Sequence, residues 1–140
     1  MKLALRRDAA STATWLQALA CKIIKARLVS QFCHGGIVVD DNLYHATGTH
    51  GLHMVPAGQW TPDNWLLIDI GTNQDPRVLN LFEQVNYMPY DWFSLLAFAG
   101  FRYQDITKVY CFEWCYWCIH GAPPTGRVTP EMLILEAIHD

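Results

Sequence analysis

Three cysteines, a glutamate and a histidine fall within residues 108–120, K-V-Y-C-F-E-W-C-Y-W-C-I-H. Val109 and Tyr110 lead into a helix-compatible segment, Cys111–Ile119. A cysteine at a helix N-terminus faces backbone N–H groups, and the helix dipole favours its thiolate. A thiolate with a base beside it is a nucleophile at neutral pH. The segment therefore predicts that Cys111 is a nucleophile, against the common alternative of a buried structural thiol.

The other two cysteines of this segment share a helical stripe with Cys111, because Cys115 and Cys118 follow it by four and seven residues. We interpret both as small core residues. The C-x3-C-x2-C spacing also matches the four-iron cluster loop of radical enzymes that use S-adenosylmethionine. A 140-residue chain cannot form the barrel of those enzymes. A zinc site that includes His120 would lack the usual paired C-x2-C arrangement, so we expect no metal and no other cofactor.

A candidate base lies in the run H-G-G-I-V-V-D, which begins at His34 and has strand character. Gly35 and Gly36 leave room for a substrate or another element to approach closely. Histidine suits general-base catalysis because its pKa lies near working pH. Two further histidines, His50 and His53, are expected in loop or edge positions.

A third polar residue is needed to orient the His34 imidazole, as in a catalytic triad. A predicted turn at Asp41–Asn42 places His45 on the same face as His34. In an ideal ladder the two would lie roughly 13 Å apart, so a bulge or strong bend would be required. Thr47 and Thr49 share that face and lie nearer, and the choice among His45, Thr47 and Thr49 stays open.

The elements that must position these residues predict an α+β domain, an antiparallel sheet followed by helices that pack against it. The first strand is a possible sheet edge, and the fifth, W-L-L-I-D-I, is expected to be buried. Asp91 is the predicted cap of the third helix. Strands are predicted at residues 2–6, 34–40, 43–47, 48–55 and 65–70, and helices at residues 12–27, 76–87, 92–99, 111–119 and 130–138.

Composition limits the class of protein. Hydrophobic residues make up 51% of the 140 positions and charged residues 16%, which fits one domain spanning residues 1–140. A net charge of −3 argues against a nucleic-acid partner. No stretch reaches the ~18 apolar residues that a membrane span requires. We find no secretion signal, so we expect synthesis in a cytoplasm and five reduced cysteines.

The motif H-G-G-I-V-V-D-D-N-L-Y-H-A resembles the histidine strand of NlpC-type papain-like hydrolases. Because the histidine precedes the cysteine, the chain is similar to the circularly permuted branch, which includes the YiiX-like amidases and the lecithin:retinol acyltransferase group. K-V-Y-C-F-E-W-C resembles the nucleophile motif of that branch but has Phe112 where serine is common. Y-D-W-F-S-L-L-A-F from Tyr90 resembles the segment before the nucleophile. The similarity extends over nearly the whole chain and looks closest to versions from tailed phages.

The resemblance implies a permuted papain-like fold with Cys111 as nucleophile, His34 as base and His45 in the third position. It implies that Tyr90 helps to form the oxyanion site. The expected reaction is acyl-enzyme hydrolysis of an amide, with peptidoglycan peptides as substrate and other phage tail proteins as partners. A catalytically silent tail or virion subunit with the same fold is the alternative. Phe112 beside the nucleophile would narrow or close the cleft.

Overall fold

The computed structural model describes residues 1–71, 75–92 and 107–139. Within those ranges the chain forms five strands and four helices, which confirms the α+β class. Of the predicted helix at residues 92–99, everything after Trp92 lies outside these ranges. The strands are β1 (Lys2–Arg6), β2 (His34–Val39), β3 (Asn42–Thr47), β4 (Gly51–Val55) and β5 (Trp65–Asp69), and the helices are α1 (Trp15–Leu28), α2 (Asp75–Val85), α3 (Cys111–His120) and α4 (Pro130–His139).

The five strands form one antiparallel sheet in the order β4-β3-β2-β1-β5. Two expectations about its edges were wrong. β1 lies inside the sheet, and its Leu3, Ala4 and Leu5 are fully buried. β5 is one of the two edge strands, and its Leu66 and Leu67 remain more than a third exposed. An apolar run therefore marks a strand here without distinguishing an interior strand from an edge strand.

The main core lies on one face of the sheet, where all four helices contribute buried side chains. Because strand side chains alternate, the odd positions of β1 and β2, such as Leu3 and Ile37, point into this core. Ala4, Val38 and Leu43 point to the opposite face and form a second, smaller cluster. α3 is the most completely buried helix, with Cys111, Phe112, Glu113, Trp114, Cys115, Cys118 and Ile119 all buried.

Helix α1 begins later than predicted, and it buries a narrower face than its apolar residues would suggest. Thr14 caps it, because its side chain accepts from the Gln17 backbone while the Gln17 side chain accepts from the Thr14 backbone. The buried face carries Cys21, Ile24 and Leu28. Much of the apolar periodicity that predicted the helix faces outward instead, on the exposed residues Trp15, Leu16, Leu19 and Ile23.

Across the described residues, no helix combines the length and the apolar character that would be needed to cross a membrane.

Candidate active site

Cys111 is the first residue of α3, and the capping of that helix fixes its position. The Glu113 carboxylate accepts the backbone N–H of Tyr110, the N-cap residue, at 3.1 Å. The Tyr110 hydroxyl donates to the Val128 carbonyl and accepts from the Val128 N–H, both at 3.0 Å. Burial, with the nearby Asp91 carboxylate, raises the pKa of Glu113 to about 7. The N-terminus of α3 is therefore held by buried hydrogen bonds rather than by solvent.

The Cys111 sulfur is fully buried, and its hydrogen-bond partners are the Tyr90 hydroxyl and the backbone N–H groups of Gly35, Phe112 and Cys111 itself. The Tyr90 hydroxyl lies 3.7 Å from it, and the Gly35 backbone N–H also donates to it. Burial nevertheless raises the pKa of Cys111 to about 11, which outweighs these donors and the helix N-terminus. The resting group is a neutral thiol at neutral pH, whereas the helix position alone predicted a thiolate.

The end of the β2–β3 ladder explains how α3 reaches the sheet. Pairing between these strands stops at Ile37 and Tyr44, although both strands continue. At this end the Trp114 indole donates to the carbonyl of the last paired residue, Tyr44, at 3.0 Å, and the N–H of Gly35, beyond the paired residues, donates to the sulfur. Backbone groups at the end of the ladder therefore bind the helix.

Phe112 packs into the core directly beneath Gly35. A Cβ atom at position 35 would lie 2.8 Å from Cδ1 of the Phe112 ring and 3.3 Å from the Cys115 sulfur. The ring is fully buried and does not line the cleft described below. The expectation that Phe112 would narrow or close the cleft was therefore wrong, because the ring fills the space that a side chain at position 35 would need.

Tyr90 reaches Cys111 because the chain on either side of it pairs with the segment that leads into α3. Tyr90 and Val109 form an isolated parallel bridge, in which the Val109 N–H donates to the Pro89 carbonyl and the Asp91 N–H donates to the Val109 carbonyl. Burial raises the pKa of Tyr90 well above 10. Tyr90 is thus a neutral phenol beside the sulfur and a hydrogen-bond donor at neutral pH.

His34 and His45 lie in direct contact, closer than the sequence predicted. The two-residue turn is Asp40–Asp41, both with positive φ, rather than Asp41–Asn42. This shifts the register by two residues, preserves the facing of every side chain and places His45 opposite Gly36. The His34 Nε2 atom lies 2.8 Å from the His45 Nδ1 atom, with no bulge required.

The two candidate threonines do not occupy the third position. The Thr47 hydroxyl accepts from the backbone N–H of His50, and the Thr49 hydroxyl lies 2.8 Å from the His50 Nδ1 atom. His45 is the group that contacts His34.

Cys111 and His34 are joined through the backbone rather than by a direct hydrogen bond. Gly35, which donates to the sulfur, is the residue after His34. In the part of the chain that the structure describes, the hydrogen-bond partners of the sulfur are the Tyr90 hydroxyl and backbone groups of Gly35, Phe112 and Cys111, and the imidazole is not among them. Because Gly35 faces α3, strand alternation directs the His34 side chain away from the core that Phe112 fills.

His53 lies on the edge strand β4, which agrees with the expectation of a loop or edge position, but sequence reasoning missed its contact with His45. It is paired with His45 across the β3–β4 hairpin, and the two Nε2 atoms lie 3.1 Å apart. The His53 Nδ1 atom lies 2.9 Å from the Gly51 carbonyl oxygen. Strand alternation through a turn at residues 48–50 was the signal that could have found this pair.

Burial and neighbouring positive charge keep the inner histidines neutral. Burial lowers the pKa of His34 well below 6.5, and His45 and Arg6 lower it further. Burial, His53 and Arg6 lower the pKa of His45 to about 3. The Arg6 guanidinium stacks over the Trp65 ring at 5.2 Å, on the same side of the sheet as His34.

A cleft of about 470 Å³ opens beside these histidines. Arg6 is the only charged side chain that lines it among the residues described. One wall comes from α1 and the loop before it, and the opposite wall comes from the β3–β4 turn and the segment around Tyr90. The lining includes Ala13, Gln17, Ala20, His34, His45 and Tyr90.

The cysteines divide into one bonded pair and three free thiols. Cys21 and Cys33 form a disulfide with Cα atoms 5.0 Å apart, so the expectation of five reduced thiols was wrong. The packing of α1 against the segment before β2 brings the two together, which spacing alone did not reveal. Cys115 and Cys118 are fully buried core residues, as predicted.

His120 was considered above as part of a zinc site and set aside. It bonds to Glu136 at 2.7 Å, and within residues 1–71, 75–92 and 107–139 no group of three or more histidine, cysteine or acidic side chains is arranged to hold a metal ion.

No protein-family model matches the chain, and no curated protein matches it, so the resemblance to the permuted papain-like hydrolases stays a hypothesis carried by the residues themselves.

Proposed function

We propose that the chain is a cysteine hydrolase with a permuted, NlpC-type papain-like fold that cleaves amide bonds through an acyl-enzyme. The observation that carries the proposal is the position of the Cys111 sulfur. It lies at a helix N-terminus, between the Tyr90 hydroxyl and the amide that follows His34, and both Tyr90 and His34 line the cleft, together with His45. A nucleophile, a base with an orienting partner and a neutral donor thus come from three separate parts of the chain.

In the acylation step, the Cys111 thiol transfers its proton to the His34 imidazole as the sulfur bonds to the substrate carbonyl carbon. The carbonyl oxygen takes the negative charge, which the Tyr90 hydroxyl and the N–H groups at the start of α3 stabilise. The C–N bond then breaks, and the departing amine takes the proton from His34. A water molecule deprotonated by His34 hydrolyses the thioester, and the thiol is regained.

The resting protonation states exclude a preformed thiolate–imidazolium pair, so the proposed reaction proceeds by general-base catalysis. Cys111 is a thiol and His34 is neutral at pH 7. The proton must therefore move during the reaction, and substrate binding must bring the sulfur and the imidazole within hydrogen-bond reach.

We propose the peptide part of peptidoglycan as the substrate and a tailed phage as the setting, on the resemblance of the motifs. A peptide substrate is compatible with a cleft whose wall at α1 and the loop before it includes Ala9, Ala10, Ala13 and Ala20. In that setting the protein is made in a host cytoplasm and acts as a component of the phage tail.

The test is acylation by p-nitrophenyl acetate, a small activated ester, followed by mass spectrometry of the digested protein. We expect a burst of p-nitrophenolate and one acetyl group on the peptide that contains Cys111. Cys111→Ala should abolish both signals, and His34→Gln should slow the burst. Cys118→Ala is the matched control, because Cys118 is an equally buried thiol on the same helix. Equal acetylation of Cys111 and Cys118, or none, would refute the hydrolase.

Cleavage of peptidoglycan is the second stage of the test. Muropeptides from a purified sacculus digest should be shortened by the wild-type protein and left intact by Cys111→Ala. Acetylation of Cys111 without any muropeptide cleavage would retain the hydrolase and reject this substrate.

A structural subunit of a phage tail or virion is the second candidate. It is favoured by the burial of the sulfur and by the outward-facing apolar residues of α1, among which Trp15 is 73% exposed. A protein with this role should show no ester burst and should co-purify in fixed stoichiometry with assembled tails.

A further inference from the structure

We propose that His53 is a positioning residue that sets the tautomer of His34 through His45 and so leaves the His34 Nδ1 atom as the base. The three imidazoles form a hydrogen-bonded chain that ends on a backbone carbonyl. The role in proton transfer rests on the proposed function, whereas the tautomer of His34 does not.

The Gly51 carbonyl determines where each proton in the chain lies. A carbonyl oxygen only accepts, so the His53 Nδ1 atom, 2.9 Å away, must carry a proton. A neutral imidazole has one N–H, and the His53 Nε2 atom is therefore an acceptor. His45 must donate to it from Nε2 across 3.1 Å, which leaves the His45 Nδ1 atom as an acceptor.

His34 is the last imidazole in this series of hydrogen bonds. Its Nε2 atom lies 2.8 Å from the His45 Nδ1 acceptor and must donate. The His34 Nδ1 atom is consequently unprotonated and free to accept a proton. This assignment of protons requires neutral imidazoles. The low pKa of both His34 and His45 keeps these two neutral at pH 7.

The same hydrogen bonds provide a path for positive charge after His34 takes the thiol proton. His34 passes its Nε2 proton to His45 Nδ1, and His45 passes its own Nε2 proton to His53 Nε2. Each inner imidazole gains and loses one proton, and His53 ends with both nitrogens protonated. The charge thereby leaves the neighbourhood of Arg6, whose guanidinium disfavours a cation at His34 and His45. His50, whose ring centroid lies 5.2 Å from that of His53, is the other titratable group at the outer end.

The tautomers can be read directly by long-range ¹⁵N–¹H NMR of the wild-type protein at pH 7.5. We expect His34 and His45 as Nε2–H tautomers and His53 as the Nδ1–H tautomer. His53→Leu removes the outer acceptor and should shift His34 toward Nδ1–H, whereas His53→Gln keeps an acceptor oxygen and should restore the wild-type spectrum. His50→Gln is the matched control and should leave the tautomers of His34 and His45 unchanged.

The ester burst with p-nitrophenyl acetate gives the functional readout. A wrong tautomer costs up to about 10⁴-fold in a serine-protease triad. We expect His53→Leu to lose at least about tenfold in the burst rate and His53→Gln to lose less. Urea unfolding of each variant checks that it is folded.

The outcomes separate this inference from the proposed function. Wild-type His34 found as Nδ1–H would overturn the positioning role even if Cys111 is acetylated. The expected tautomers without any burst would leave the histidine chain intact and reject the hydrolase. A His53→Leu protein that is folded and keeps both the wild-type tautomers and the wild-type burst rate would also overturn the inference.

Discussion

Substitution of Gly35 by alanine tests the close approach of α3 to β2 on which the candidate site depends. The added Cβ would lie 2.8 and 3.0 Å from two atoms of the Phe112 ring and 3.3 Å from the Cys115 sulfur. Contacts under 3.0 Å are not tolerated by real Cβ atoms, and the ring cannot swing aside because it is fully buried. The helix or the strand must therefore move.

The cost follows from overpacking. Insertion of one methyl group into a well-packed core typically destabilises a protein by about 1–3 kcal/mol. The backbone adds no strain of its own at this position, because Gly35 is not among the glycines with positive φ. We expect a loss of about 2 kcal/mol in the free energy of unfolding, and a slower ester burst because Cys111 moves with Phe112.

The assay is urea unfolding without reductant, on Gly35→Ala, Phe112→Leu and the double variant. Phe112→Leu alone should destabilise, because it leaves a void. In the double variant the new methyl group fills part of that void, so the loss should fall short of the sum of the single losses by about 1 kcal/mol. Gly126→Ala is the control, because a Cβ there meets nothing within 4 Å. A Gly35→Ala protein as stable as wild type, or additive losses in the double variant, would show that the contact is not tight.

Three further predictions concern stability. Trp114→Phe leaves a buried β3 carbonyl without its donor and should lower the free energy of unfolding by about 1–3 kcal/mol, measured in urea. Double replacement of Cys21 and Cys33 by serine opens a loop of sequence separation 12 and should cost about 3 kcal/mol by the chain-entropy relation, with a matching loss when dithiothreitol is added to wild type. Because the pKa of His34 and His45 is lowered on folding, the unfolded chain binds more protons below pH 6.5, and stability should fall as pH falls toward about 3. The free energy of unfolding, measured in urea, should fall from pH 7 to pH 5, at a rate that approaches about 1.4 kcal/mol per pH unit for each histidine below about pH 6, and less steeply in His45→Gln; equal slopes would contradict this.

Much of the fold could be predicted from the sequence because the elements carry strong local signals. β-branched and apolar runs predicted all five strands, and helical periodicity predicted α1 and α3 to within three residues of their ends. Which side of an element is buried proved harder to predict. Trp15 and Leu16 matched the helical period but face outward, because the narrower face that carries Cys21 and Ile24 is the one that packs against the core.

The candidate site was predictable by residue type and only partly by geometry. Residue type identified His34, His45 and Cys111 as candidates. A turn misplaced by one residue, however, shifts the register of the β2–β3 hairpin by two, which changes the expected separation of His34 and His45 from about 13 Å to direct contact. The protonation state of Cys111 depends on burial, which the helix position could not reveal. The disulfide depends on how α1 packs, and local sequence does not encode that.

The disulfide has a consequence for how the cleft can accommodate ligands of different width. Cys33 directly precedes His34, and Cys21 lies on α1, so a covalent bond ties the helix wall of the cleft to the residue before His34. α1 therefore cannot move away from His34 at that end. Any widening must occur at the far end, by outward movement of Thr12 to Gln17, and the cleft therefore opens as a wedge whose narrow end stays beside the imidazole.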